Sequence, residues 1–269
     1  MSGTAAQVSE EAVLPPGLLV AVPPAGLAAA FAALCPLQPV RLEPAGLVCA
    51  PRSAPEAARA ALAACPFPAR PLAEVPGWPD PPAAMIAGWY RRSPAHLAAP
   101  AGVRELVQAA GEGFGPGDHP TTTMCLAALE GLPGGPALDV GCGSGLLAQA
   151  WAALGRGPVI ALDVDARAVD QARRSLAAAG RAGAVEVRRA PIESLPAADL
   201  AGRALLANVP EGAQRALLAR VSGPPSAIVL SGIRPAAAGA LRDAWQALGL
   251  RPDGAWERGG FACLRMVGG

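Results

Sequence analysis

The run Ala137-Leu138-Asp139-Val140-Gly141-Cys142-Gly143-Ser144-Gly145 leaves this chain few choices of fold. Apolar-biased residues enter a glycine turn, and Leu146, Leu147, Ala150 and Leu154 follow at helical spacing, so the segment reads as strand, tight turn and helix. Glycine adopts positive φ and has no Cβ, so a ligand can lie against bare backbone at the helix start. The next hydrophobic strand ends at Asp163. A carboxylate there can accept hydrogen bonds from both hydroxyls of a ribose. Together the two segments describe a nucleoside site on the carboxyl edge of a sheet.

The same alternation continues along the chain. Strands are expected at 137–140, 159–163, 185–188, 205–208 and 228–231, and helices at about 146–154, 166–179, 211–221 and 236–248. A final strand at 261–267 follows the Gly259-Gly260 turn. This pattern predicts an α/β, doubly wound, Rossmann-like sheet with its ligand at the strand carboxyl ends.

Upstream the pattern changes. Residues 1–16 are small, polar and proline-ended and read as a disordered tail. Residues 17–76 give strand 18–22, helix 25–34, strands 39–43 and 46–50, helix 55–64 and strand 71–75. That order, β-α-β-β-α-β, predicts a small α+β ferredoxin-like domain. Pro76-Gly77-Trp78-Pro79-Asp80-Pro81-Pro82 is too proline-dense for regular structure and opens a linker taken as 77–112, with the main domain at 113–269.

Composition excludes several chemistries. All 22 basic residues are arginine, so no lysine nucleophile or Schiff base is available. A formal net charge of +1 supplies no field that argues for direct nucleic-acid binding. The six cysteines form no C-x-x-C and only His96 and His119 could add imidazole, which argues against a zinc site. Prolines and arginines interrupt every apolar run before membrane-spanning length, and no basic-then-apolar leader is apparent, so a cytoplasmic, monomeric protein is expected.

A second shaped segment precedes the glycine run: Gly113-Phe114-Gly115-Pro116-Gly117-Asp118-His119-Pro120-Thr121-Thr122-Thr123, opening onto a helix expected at 123–132. Read by itself, Thr121 or Thr122 caps that helix, Pro120 shapes its entry and His119 meets a backbone carbonyl. Its place just before the first strand of the sheet also lets it cross above a bound ligand.

These motifs carry a resemblance. G-x-G-x-G preceded by an acid is similar to the glycine loop of S-adenosylmethionine-dependent methyltransferases, whereas dinucleotide sites favour G-x-G-x-x-G. The segment F-G-x-G-x-H-P-T-T, then D-x-G-C-G-S-G, an acidic strand end and Ala207-Asn208 resembles the PrmA family, which methylates a large-subunit ribosomal protein. The resemblance covers roughly Gly113 to Gly232 and implies S-adenosyl-L-methionine as cofactor. It implies a protein substrate and an N-terminal substrate-recognition domain. Carried over by motif, Thr122, Gly141, Asp163 and Asn208 would contact the cofactor, with Gly143 giving bare backbone. Asn208 is the candidate catalytic residue, its amide facing the reacting centre. Asp139 would order the glycine loop or meet the cofactor's ammonium.

The sequence departs from the family at Pro116, Asp118 and Asn208-Val209-Pro210. These leave open a methyltransferase acting on a different protein or on a small-molecule amine. His119 as a base is a further alternative. No metal is needed for an in-line displacement on a sulfonium.

Overall fold

A computed structural model describes residues 17–34, 40–43, 46–49, 55–72, 83–94, 98–111, 117–197 and 200–269. The expected tail at 1–16, the proline run at 76–82 and residues 113–116 of the upstream loop lie outside the described residues. The chain divides into two compact units, Met1–Glu105 and Leu106–Gly269.

In the first unit, β1 (Gly17–Val20), α1 (Leu27–Leu34), β2 (Val40–Glu43), β3 (Gly46–Cys49), α2 (Pro55–Ala64) and β4 (Ala69–Leu72) follow one another. The sheet order is β2-β3-β1-β4, antiparallel at each pairing, which is the ferredoxin-like arrangement. One face packs Val20 and Leu47 against Leu34 of α1 and Ala61 of α2. Inside the stretch expected to link the domains, β5 (Ala84–Ile86), β6 (Trp89–Arg92) and β7 (Glu105–Val107) make a three-stranded sheet. The β5–β6 turn places Ala87 at φ 48°. Arg92 and Glu105 close it with an ion pair of 2.7 Å, and the same carboxylate accepts the Ala99 N–H at 2.6 Å.

The second unit holds α3 (Pro120–Leu129), β8 (Ala137–Val140), α4 (Leu146–Ala153), β9 (Val159–Asp163), α5 (Ala166–Ala178), β10 (Val185–Arg189), β11 (Ala204–Asn208), α6 (Glu211–Arg220), β12 (Ala227–Ile233), α7 (Pro235–Gln246), β13 (Leu250–Arg258) and β14 (Phe261–Gly268). The seven strands run β10-β9-β8-β11-β12-β14-β13. Strands β8 to β12 are parallel, while β14 lies antiparallel between β12 and β13. The order reverses at β8, so the ligand crevice of such a sheet opens at the carboxyl ends of β8, β9 and β11.

Burial explains why the strands read as continuous apolar runs. Leu138, Leu205, Ile228 and Leu230 are fully buried between helix layers, as a parallel sheet requires. Trp245 of α7 is also fully buried in this core, and truncating it to alanine costs about 3–5 kcal/mol. Strand β13 was not legible in the sequence: only Leu250 is buried, and Pro252 and Gly254 suggest a turn. At a sheet edge both are tolerated, and the register shifts between them. Among the described residues no helix is long and apolar enough to cross a membrane.

Candidate functional site

The glycine loop is fixed by its own backbone. Gly141, Gly143 and Gly145 take φ of 65°, 53° and 83°, a region that side chains rarely tolerate. The Cys142 N–H donates to the Leu162 carbonyl at 2.8 Å, and the Gly145 N–H turns back to the Cys142 carbonyl at 2.8 Å. A Cβ at Gly141 would collide with Val209 Cγ1 across the sheet edge.

Two carboxylates complete this side. Gly145 caps α4 without a side chain, and Asp139 on β8 supplies what it lacks, accepting the Ala148 N–H at 2.9 Å. Asp139 is 1% exposed, and burial pushes its carboxyl up to about 7. The Ala148 N–H pulls the other way, and the Asp163 charge adds a smaller upward push. Asp163 ends β9, where one carboxylate oxygen accepts the Gly143 N–H at 2.9 Å and the other the Asp165 N–H at 2.9 Å. Each carboxylate has about four acceptor positions, so Asp163 keeps capacity for a ligand after tying the loop.

The opposite wall comes from β11, β12 and the β13–β14 hairpin. Asn208 ends β11 and donates through Nδ2 to Thr122 Oγ1 at 3.3 Å, which joins two of the sequence-derived candidates. Its Oδ1 is buried with no hydrogen-bond partner among the described residues. Such an orphan acceptor costs about 1–3 kcal/mol unless a ligand donates to it. Gly232, at φ 85°, lets β12 pass the Val209 carbonyl, which an added Cβ would meet at 2.6 Å.

The cap of α3 differs from expectation. His119, rather than Thr121 or Thr122, is the N-cap, accepting the Thr121 N–H through Nδ1 at 3.4 Å, and Pro120 is the first helical residue. The same Nδ1 lies 2.7 Å from Thr121 Oγ1. The helix therefore starts earlier than 123, because a proline at the first position needs no N–H partner. The His119 ring meets Phe261 edge-on at 5.1 Å, and the Arg234 guanidinium lies over the Phe261 ring at 4.7 Å.

Between these walls lies a cavity of about 630 Å3, within the range of small-molecule sites. Gly141, Gly143, Asp163 and Asn208 all line it, with Thr121, Val209 and Phe261. A pocket of about 30 Å3 beside it is lined by Thr122, Asp139, Gly141 and Asn208. Thr122 and Asp139 thus face the small pocket, not the large one. The sequence reading missed Val209, Ile192 and Phe261, whose apolar character gives no motif. It also missed Gln214, a fully buried α6 residue whose amide donates to the carbonyls of Ala207, Val209 and Ser231.

The sequence profile of the family described as "Ribosomal protein L11 methyltransferase (PrmA)" matches residues 100–268. A ribosomal protein L11 methyltransferase from Symbiobacterium thermophilum is 38% identical over 163 residues, 57% of this chain and 51% of that one. One from Bordetella parapertussis is 33% identical over 196 residues, 68% of this chain and 60% of that one. The matched part thus spans about half the length of these curated relatives. The crystal structure of ribosomal protein L11 methylase from Lactobacillus delbrueckii subsp. bulgaricus superposes with a TM-score of 0.57 at 19% identity, covering 68% of this chain and 95% of that one, and shows the shared fold. With the family profile running from the strand before the upstream loop to the last strand of the sheet, the chain belongs to the PrmA family of ribosomal protein L11 methyltransferases.

Proposed function

We propose that this protein is an S-adenosyl-L-methionine-dependent methyltransferase that N-methylates lysine or terminal amines of a ribosomal protein. The observation that carries the reading is the orphaned Asn208 Oδ1, buried on the wall of a cavity whose other wall is the glycine loop and Asp163. The relatives' printed names supply the acceptor, a ribosomal protein L11.

The residues fit the cofactor by chemistry. Gly141 and Gly143 give bare backbone, and the free capacity of Asp163 suits ribose hydroxyls. Thr122 and Asp139 at the small pocket suit the polar amino-acid end. Bound there, S-adenosyl-L-methionine supplies an electrophilic methyl carbon on a sulfonium. The chain's own task is to hold a neutral amine in line with it and to exclude water. Asn208 Oδ1 accepts a hydrogen from that amine and orients its lone pair. The apolar lining, including Ile192, Val209 and Phe261, disfavours the ammonium form by desolvation. His119, engaged through Nδ1 at the α3 cap, shapes the entrance.

The N-terminal unit with the ferredoxin-like sheet lies almost wholly outside the family match and is proposed as the substrate-recognition element. The test is incubation with methyl-labelled S-adenosylmethionine and isolated large-subunit proteins, followed by mass identification. Label on L11 is expected. Label only on small amines defeats the protein acceptor, and absence of cofactor uptake by calorimetry defeats the whole reading.

A further inference from the structure

Strand β11 ends at Asn208, and one buried side chain ties the Val209-Pro210 segment that follows it to the neighbouring strand. Gln214, one turn into α6, is fully buried and its Nε2 lies 3.0 Å from the Ala207 carbonyl, 3.3 Å from the Val209 carbonyl and 2.9 Å from the Ser231 carbonyl. An amide nitrogen has two hydrogens, so these three acceptors share them. The Ala207 and Val209 carbonyls flank Asn208, and the Ser231 carbonyl belongs to the neighbouring strand. Ser231 also accepts the Val209 N–H at 3.1 Å, while its hydroxyl donates to the Ala262 carbonyl at 2.8 Å.

We infer that Gln214 is a positioning residue for methyl transfer, holding the peptide plane that enters Asn208 and the Val209–Pro210 plane that follows it, so that Asn208 keeps its place on the cavity wall. The inference rests on the proposed methyltransferase activity and deepens it. Pro210 contributes no N–H in this segment and Gly232 contributes no side chain. Beyond the parallel ladder that ends at the Asn208–Ser231 pair, the Val209 N–H to the Ser231 carbonyl is the backbone tie of this segment to β12. Without the clamp, Asn208 keeps its pairing with Ser231 and its side-chain bond to Thr122, but the turn beyond it is free to shift, and a displacement of about 1 Å at such a group costs on the order of 100-fold in rate.

The test compares two buried glutamines in the full chain. Gln214→Met keeps length and removes the donors. Gln171→Met removes a similar bond, from Nε2 to the Ala109 carbonyl at 2.8 Å, on α5 and away from the cavity. Cofactor dissociation constants by calorimetry, kcat and KM with L11, and thermal midpoints are measured for both. Gln214→Met is expected to lose at least about tenfold in kcat while the cofactor constant stays within about threefold, and Gln171→Met to lose stability without losing kcat. Equal kcat in both variants overturns the inference. Gln214→Glu guards against a variant that fails to fold. Its carboxyl donates to the carbonyls only when neutral, so its kcat relative to the parent protein should rise as pH falls. A ratio flat with pH also overturns the inference. A parent protein that binds no cofactor instead defeats the proposed function, and calorimetry separates the two failures.

Discussion

On the β8–β9 side of the cavity the wall is backbone, tied down by carboxylates that sit on the same two strands as the loop they hold. On the β11–β12 side the wall is side chains, and its shape comes from elements far apart in the chain: Thr122 meets Asn208, His119 meets Phe261, and Gln214 clamps two strand ends. On the proposed reading the first side grips the cofactor. The second carries the orphaned acceptor, which on the proposed reading serves the transfer step. If that division holds, damage to one side should change affinity and damage to the other should change turnover.

The largest effect is expected at Asn208→Ala. It should lower kcat by about 100- to 1,000-fold, the range for removing a group aimed at the reacting centre, with the cofactor dissociation constant nearly unchanged. Steady-state kinetics beside calorimetry decides this, and a change confined to affinity would break the comparison. Asp163→Ala comes next. It removes acceptors for the Gly143 and Asp165 N–H groups and, on the proposed reading, for the ribose, so cofactor affinity should fall about 100-fold, with kcat at saturation within about threefold. Titration calorimetry reads it directly, and unchanged uptake would dissolve the assignment of this wall.

A smaller effect is expected from the buried Asp139. Its folded carboxyl, near pH 7, stays protonated while the unfolded one ionises around its ordinary 3.8. The native state then binds more protons, so stability falls as pH climbs from about 4 to about 7 and stays at the lower level above. Asp139→Asn retains an acceptor for the Ala148 N–H and cannot ionise. It should therefore be more stable than the parent protein at pH 8, by on the order of 4 kcal/mol, with little difference near pH 4. Denaturant melts across that range test it, and parallel pH profiles in the two proteins would contradict it. The smallest effect is expected at His119→Ala. Loss of the α3 cap costs about 1 kcal/mol, and kcat should drop less than about threefold. A drop of 100-fold would instead make His119 a base and sharpen the chemistry of the second wall.

The same contrast governs what could be read from the amino-acid sequence. Gly141, Gly143, Asp139 and Asp163 announce themselves because their work is done within a strand-turn-helix unit, where type and spacing are the mechanism. Asn208 and Thr122 were reachable by the family resemblance, yet their mutual hydrogen bond was not, since 86 residues separate them. Gln214 and Phe261 look like an ordinary helix residue and an ordinary strand residue. Their roles depend on which carbonyls and rings the sheet order brings near. The exposed strand β13 escaped notice because an edge strand needs no apolar alternation and accommodates Pro252. Strands β5 to β7 escaped because short pieces of three or four residues carry too little periodicity against a proline-rich background.

Because β14 slots between β12 and β13, Phe261 joins the cavity only after the strands that carry its other lining residues have been made. A growing polypeptide can close the glycine loop early, yet it completes the far wall only when β14 has been added, by pairing segments of high sequence separation. On the proposed reading, catalytic competence should thus wait for the β13–β14 hairpin, leaving chains that lack it able to hold cofactor before they can use it.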